Sequence, residues 1–200
     1  MHNAQTLEQA APTAVVIAPT KPLPVRITRL ADAYYISVAA AEMVNDAIST
    51  MQLAIFVGAR EEDETIILSI DPDNYPEFRW SAYLTFMGIF QSAKCKVIVK
   101  CDKMDFSDCA YFYLLGNVLD VSPVGALFFS PLYSSNKASL CDQERTGADY
   151  VIGLLRKAVD RKIITEDQFN QLDKGGYTSV DYGMLKERLG DQDHPSIILR

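Results

Sequence analysis

Two stretches hold residues whose types and spacing could do chemistry. The first is Asp71-Pro72-Asp73-Asn74, which follows the apolar run 65–70, TIILSI. Two carboxylates this close at the end of a buried strand are candidates for metal-dependent phosphotransfer. The same residues also suit a plain turn, because Asp, Pro and Asn each favour turn geometry. The second stretch is 104–132, MDFSDCAYFYLLGNVLDVSPVGALFFSPL, in which Ser107 stands at the start of a helix expected over 108–115 and closed by Gly116-Asn117. A serine hydroxyl there caps the helix, or acts as a nucleophile if a neighbouring base takes its proton. The histidines that could serve as that base are His2 and His194, one in each terminal segment, where solvent exposure is expected. Lys103 is the nearest lysine, and Asp102 and Asp105 beside it favour its charged form over the neutral amine that a Ser-Lys dyad requires.

The elements that must position these residues read as alternating strands and helices. Runs 25–30 and 34–38 are rich in β-branched and aromatic residues and predict strands. From Ala39 the spacing of Val44, Ala47, Ile48, Met51 and Ala54 predicts a helix ending near Gly58. The run 65–70 predicts a buried strand, Trp80, Tyr83, Leu84, Met87 and Phe90 a helix, and 95–100 a strand, so 65–100 is a βαβ unit with parallel strands. The central stretch adds a second unit, ending in a strand pair 118–121 and 125–129. Residues 134–141 read as polar loop, and Val151, Leu154, Leu155 and Ala158 mark a long helix over about 144–161. Thr165 with Gln168 is a capping box opening a short helix to Leu172, and Thr178 with Asp181 opens a last helix stopped by Gly190. The aromatic set Tyr111, Phe112, Tyr113, Phe128 and Phe129 reads as core packing, with a groove for a partner or acyl chain as the alternative.

Composition narrows the function classes. The 200 residues form one domain, 25–200, after a proline-rich extended or disordered arm, 1–24, read as inert or as an adaptor-binding tail. The net charge of −7, with scattered basic residues, argues against nucleic-acid binding. The absence of a long apolar run argues against a membrane span and favours a cytoplasmic location. Cys95, Cys101, Cys109 and Cys141 fit no redox or zinc spacing and read as reduced structural residues. Neither GxGxxG nor GxxxxGK[ST] occurs, and no cofactor or metal is expected.

The order of the central stretch, in which a Ser opens a helix, a Gly ends it and a strand later a segment closes in Pro-Leu, resembles the centre of the Clp protease proteolytic subunit and its ClpP-crotonase relatives. The resemblance covers about 34–189. It implies an α/β, ClpP/crotonase-like β-α-β superhelical domain with a mostly parallel sheet and a long C-terminal helix. Ser107 falls on the family's nucleophile position. Asp173, in Asp173-Lys174-Gly175-Gly176-Tyr177-Thr178, falls on that of the triad Asp. The family's His-Gln-Pro-Leu segment, which supplies the base, reads Phe129-Ser130-Pro131-Leu132 here, so Ser130 replaces the base. Asp71, Pro72, Asp73 and Asn74 occupy the family's Asn-Ser-Pro-Gly-Gly oxyanion loop. Pro72 matches, but both glycines are lost and two carboxylates oppose negative charge.

What the resemblance implies is therefore a catalytically inactive Clp protease-like subunit, a homo-oligomeric scaffold or a regulator of a Clp-like or other protein partner. The alternative is a serine hydrolase using Ser107 with a base other than His. Association is expected through the long helix, whose Ile152 and Val159 widen its apolar face beyond one contact. Asp71 and Asp73 also resemble the opening of haloacid-dehalogenase-type phosphatases, but Asn74-Tyr75-Pro76 stands where that family has Thr or Val, and a later acidic pair is not evident.

Overall fold

The computed structural model describes residues 25–39, 47–71, 80–105, 108–130, 142–190 and 192–200. The chain runs β1 Val25–Arg29, β2 Tyr34–Ala39, α1 Ala47–Gly58, β3 Thr65–Asp71, α2 Trp80–Gln91, β4 Lys96–Cys101 and β5 Met104–Asp105. A 3-10 helix Asp108–Leu115 follows, then β6 Val118–Val121, β7 Ala126–Phe129, α3 Asp142–Asp160, α4 Glu166–Asp173, β8 Thr178–Asp181, α5 Tyr182–Leu189 and β9 Ile197–Leu199. The expected arm 1–24, the start of the first helix and the polar loop 134–141 lie outside the described residues.

The strands form two sheets. The larger has the order β1-β2-β3-β4-β6-β9, parallel throughout except for β1, which returns antiparallel along β2. The βαβ unit over β3, α2 and β4 is present with its strands adjacent and parallel. β4 and β6 repeat the arrangement, with the 3-10 helix as the crossover. The smaller sheet has the order β5-β7-β8. Ile36, Leu53, Ile66, Leu68, Val99 and Leu119 are fully buried between the large sheet and its covering elements, each adding about 1.5–3 kcal/mol of burial to the fold.

Four local expectations change. The segment after Ser107 is a 3-10 helix rather than an α-helix, and residues 110–115 are buried all round. Its end is pinned to β4, since a Cβ on Gly116 would lie 2.5 Å from Val99 Cγ2 and Val97 N–H donates to Asn117 Oδ1 at 2.7 Å. A 3-10 helix rises about 2.0 Å per residue against about 1.5 Å, so eight residues reach further between fixed ends. Secondly, β6 and β7 do not pair but belong to different sheets. The turn between them is held by Ser122 N–H to Cys101 O and Gly125 N–H to Ser122 O, and a Cβ on Gly125 would meet Cys101 O at 2.4 Å. The chain turns a corner there only because residue 125 has no side chain.

Thirdly, Thr178 to Asp181 is not a helix start but strand β8, antiparallel to β7. Asp181 ends the strand and caps α5, its Oδ1 accepting from Met184 N–H at 2.8 Å, and Gly190 stops the helix at φ 66°. Finally, the C-terminal tail is not loose, because β9 adds to the large sheet beside β6. The capping box at Thr165 and Gln168 is present as expected, with both reciprocal bonds made.

The long helix α3 packs one face on its own domain. Val151, Leu155 and Ala158 are buried, and Ile152 and Val159 pack partly buried against the same core. Ile152 and Val159, the residues expected to seek a neighbour, are thus partly covered by their own domain.

Candidate functional site

The site begins at the end of β7. Phe129 is the last residue in register with β8, opposite Thr178, so Ser130 leaves the ladder facing Tyr177. The buried Tyr111, on the 3-10 helix that follows Ser107, packs its ring edge-on against Phe129 at 5.4 Å. Its hydroxyl donates to Ser130 O at 2.5 Å. Phe112, one residue on, sets its ring against Phe86 of α2, also at 5.4 Å. The 3-10 helix is thus locked to the end of β7 and to α2. Beside Ser130 lies a cavity of about 230 Å³ lined by Phe128, Phe129, Ser130, Tyr177, Thr178 and Ser179. Gln168, freed at its amide nitrogen by the capping box, donates to Ser179 O at 2.8 Å and ties α4 to this wall.

The predicted site residues divide among three outcomes. Ser130 lines the cavity together with Phe129, so neither residue of that segment presents a base. Asp173 sits half-buried at the end of α4 and is not in the cavity lining. The left-handed Gly175, at φ 84°, turns the chain from α4 back towards Tyr177. Asp71 ends β3 opposite Ala39, at the carboxyl edge of the large sheet. Its side chain, Pro72, Asp73, Asn74 and Ser107 lie outside the described residues, and so do the oxyanion, phosphotransfer and N-cap readings that rest on them.

The two candidate bases that are described stand elsewhere. Lys103 is exposed, which removes the desolvation that a neutral amine requires. His194 is half-buried rather than exposed, its Nδ1 accepting from Ser196 N–H at 3.3 Å. Burial, and then the charges of Lys162 and Arg161, hold its pKa below the ordinary histidine value. It lines a different cavity, between α5 and β9, that shares no residue with the one at Ser130.

Sequence reasoning missed Tyr111 as the connector and Tyr177 to Ser179 as a wall. An apolar 3-10 segment carries no mark of which hydroxyl will reach a carbonyl 19 residues away. It also missed Arg200, whose Nε donates to Asp120 Oδ1 at 2.7 Å and whose guanidinium also pairs with Asp102. The bond to Asp102, followed by the contacts with Asp120, raises the Arg200 pKa. These charges close the carboxyl ends of β4, β6 and β9.

Solved structures of similar fold include enoyl-CoA hydratases and isomerases. An enoyl-CoA hydratase/isomerase from Pseudoalteromonas atlantica superposes with a TM-score of 0.52 at 10% identity, covering 88% of this chain and 70% of that one. An enoyl-CoA hydratase from Bacillus anthracis gives 0.52 at 9%, covering 88% and 69%. A monofunctional enoyl CoA isomerase from M. smegmatis gives 0.51 at 12%, covering 88% and 77%. Neither a protein-family model nor a curated protein matches the sequence. At such identities the likeness shows the fold alone: an α/β, ClpP/crotonase-type domain with a mostly parallel central sheet. Among the described residues no helix is long and apolar enough to cross a membrane.

Proposed function

We propose that the chain is a catalytically silent crotonase-fold subunit that works by association, as an oligomeric scaffold or as a regulator of a protein partner. The observation that supports this reading is the wall of the cavity at Ser130. Among the described residues its lining is two phenylalanines, three aliphatic hydroxyls and one phenol, with no imidazole, carboxylate or amine. Acyl transfer and hydration of an enoyl thioester each need a group that takes or gives a proton in the transition state. An unactivated hydroxyl or phenol is a poor base at neutral pH. Within the fold, the Ser107 to Leu132 pattern favours kinship with Clp proteolytic subunits, with Ser107 and Asp173 as vestiges, in a cytoplasmic protein that binds neither nucleic acid nor membrane.

Incubation with a fluorophosphonate probe should leave Ser107 unmodified, and a short enoyl thioester should not be hydrated. Stoichiometric labelling that disappears in Ser107→Ala would establish a serine hydrolase with an unconventional base instead, and turnover of the thioester would establish a hydratase. The association half is read from light scattering coupled to size exclusion. A mass several times the 22.3 kDa of one chain is expected, and a monomeric mass at tens of micromolar would remove self-association, leaving only a different partner.

A further inference from the structure

The cavity between α5 and β9 measures about 440 Å³, within the size range of small-molecule sites. Leu189, Ile197 and Leu199 supply its apolar lining, and Lys186, His194 and the exposed Asp193 supply its ionisable groups. Because Ser196 N–H donates to His194 Nδ1, the neutral ring carries its proton on Nε2. His194 therefore offers an N–H donor beside the Lys186 ammonium.

Behind the cleft, two arginines are held by carbonyl and amide oxygens. Arg161 donates to Gly116 O at 2.9 Å and Ser196 O at 3.4 Å, and its Nε is buried without a partner. Arg188 donates to Lys162 O at 3.0 Å, Ile163 O at 2.5 Å and Gln168 Oε1 at 3.3 Å. Carbonyl oxygens orient these guanidiniums but do not neutralise them. Among the described residues neither Arg161, Lys162, Lys186 nor Arg188 forms an ion pair. Lys186 lines the cleft, and Arg161 and Lys162 lie near enough to His194 to act on its charge, so its cations favour an anionic ligand.

We propose that this cleft binds a small amphipathic carboxylate. The carboxylate sits between Lys186 Nζ and the His194 Nε2–H, a charge-assisted pair of bonds, and the apolar body lies along Leu189, Ile197 and Leu199. A monoanion suits the site better than a dianion, because Asp193 repels the second charge. The proposal does not depend on whether the cavity at Ser130 is silent.

Octanoate is the probe, titrated calorimetrically into the full chain, with acetate (the same head group without the body) and octylamine (the same body with the opposite charge) as comparators. The expected result is one saturable octanoate site, with both comparators at least about tenfold weaker, a difference of ~1.4 kcal/mol. Lys186→Glu reverses a charge on an exposed side chain and should weaken octanoate by about tenfold or more, while Lys157→Glu on α3 should leave it unchanged. His194→Phe keeps a ring but removes the donor and should weaken binding several-fold, which gives a second reading if the first variant misfolds. Absence of saturable octanoate binding, equal affinity for acetate, or binding indifferent to both variants would overturn the proposal.

Discussion

The buried Tyr111 donates its hydroxyl to Ser130 O, and Tyr111→Phe removes that bond. A loss of about 0.5–1.5 kcal/mol in urea unfolding is expected, and a loss near zero would mean that water replaces the hydroxyl. His194 supplies a pH dependence of known sign. Its folded pKa lies below the ordinary value through burial, with Lys162 and Arg161 adding to it, so the unfolded chain binds its proton first as pH falls. The stability it contributes is present above the unfolded pKa, near 6.5, and is lost as pH drops through and below that value. Comparing urea midpoints between about pH 7.5 and pH 5, His194→Gln should show a shallower fall than the parent chain.

At the scale of elements, the corner after β6 and the cap of α4 carry separate expectations. A methyl at residue 125 would press on the Cys101 carbonyl and Val121 Cγ1 at once. Since backbone is what it meets, Gly125→Ala should cost about 1–3 kcal/mol, the range of overpacked cores. Thr165→Ala removes a reciprocal cap on which Gln168, and through it Ser179 in the cavity wall, depends. A loss of about 0.5–2 kcal/mol is expected, together with altered amide exchange at β8, which a cap confined to α4 would not produce. The capping box was legible because it is local, with two residues three apart facing one another on any helix start. The β6–β7 corner was not, since 118–121 and 125–129 are two short, mostly apolar runs joined by three residues, as in a hairpin, and only the approach of Cys101 shows the corner.

For the whole molecule, the C-terminal strand joins distant parts. Arg200 spans 80 residues to Asp120 and 98 to Asp102, and Asp120 is buried. Replacing Arg200 with Leu should lower stability by about 1.5 kcal/mol, the low end of charged hydrogen bonds because the arginine side chain is 41% exposed. Thermal unfolding at two salt concentrations would check it, since a screened surface pair would lose its effect in salt. The fold-back of α3 also redirects the search for an interface. The exposed large apolar residues include Met51 and Ile55 on α1, which lie four apart on one face, whereas Ile152 and Val159 pack against the parent core.

The sequence by itself determined the alternation of strands and helices, the parallel βαβ unit over 65–100, the capping box and the glycine stops, because each depends on residues within one or two turns of one another. The fold class followed from the resemblance of the 104–132 order and from that alternation. Only the tertiary structure decided that β6 and β7 part into two sheets, that Thr178 to Asp181 is a strand, that the tail becomes β9, and that Asp173 stays out of the cavity beside Ser130. Those outcomes turn on which backbone approaches which across long separations, and the energy of such contacts leaves no periodic trace in the chain. The same holds for the cationic cleft. Arg161, Lys186 and Arg188 belong to no motif in the sequence, where His194 reads only as an exposed candidate base, and they become a site only when β9 docks beside β6 and brings Ser196 and His194 against the helices.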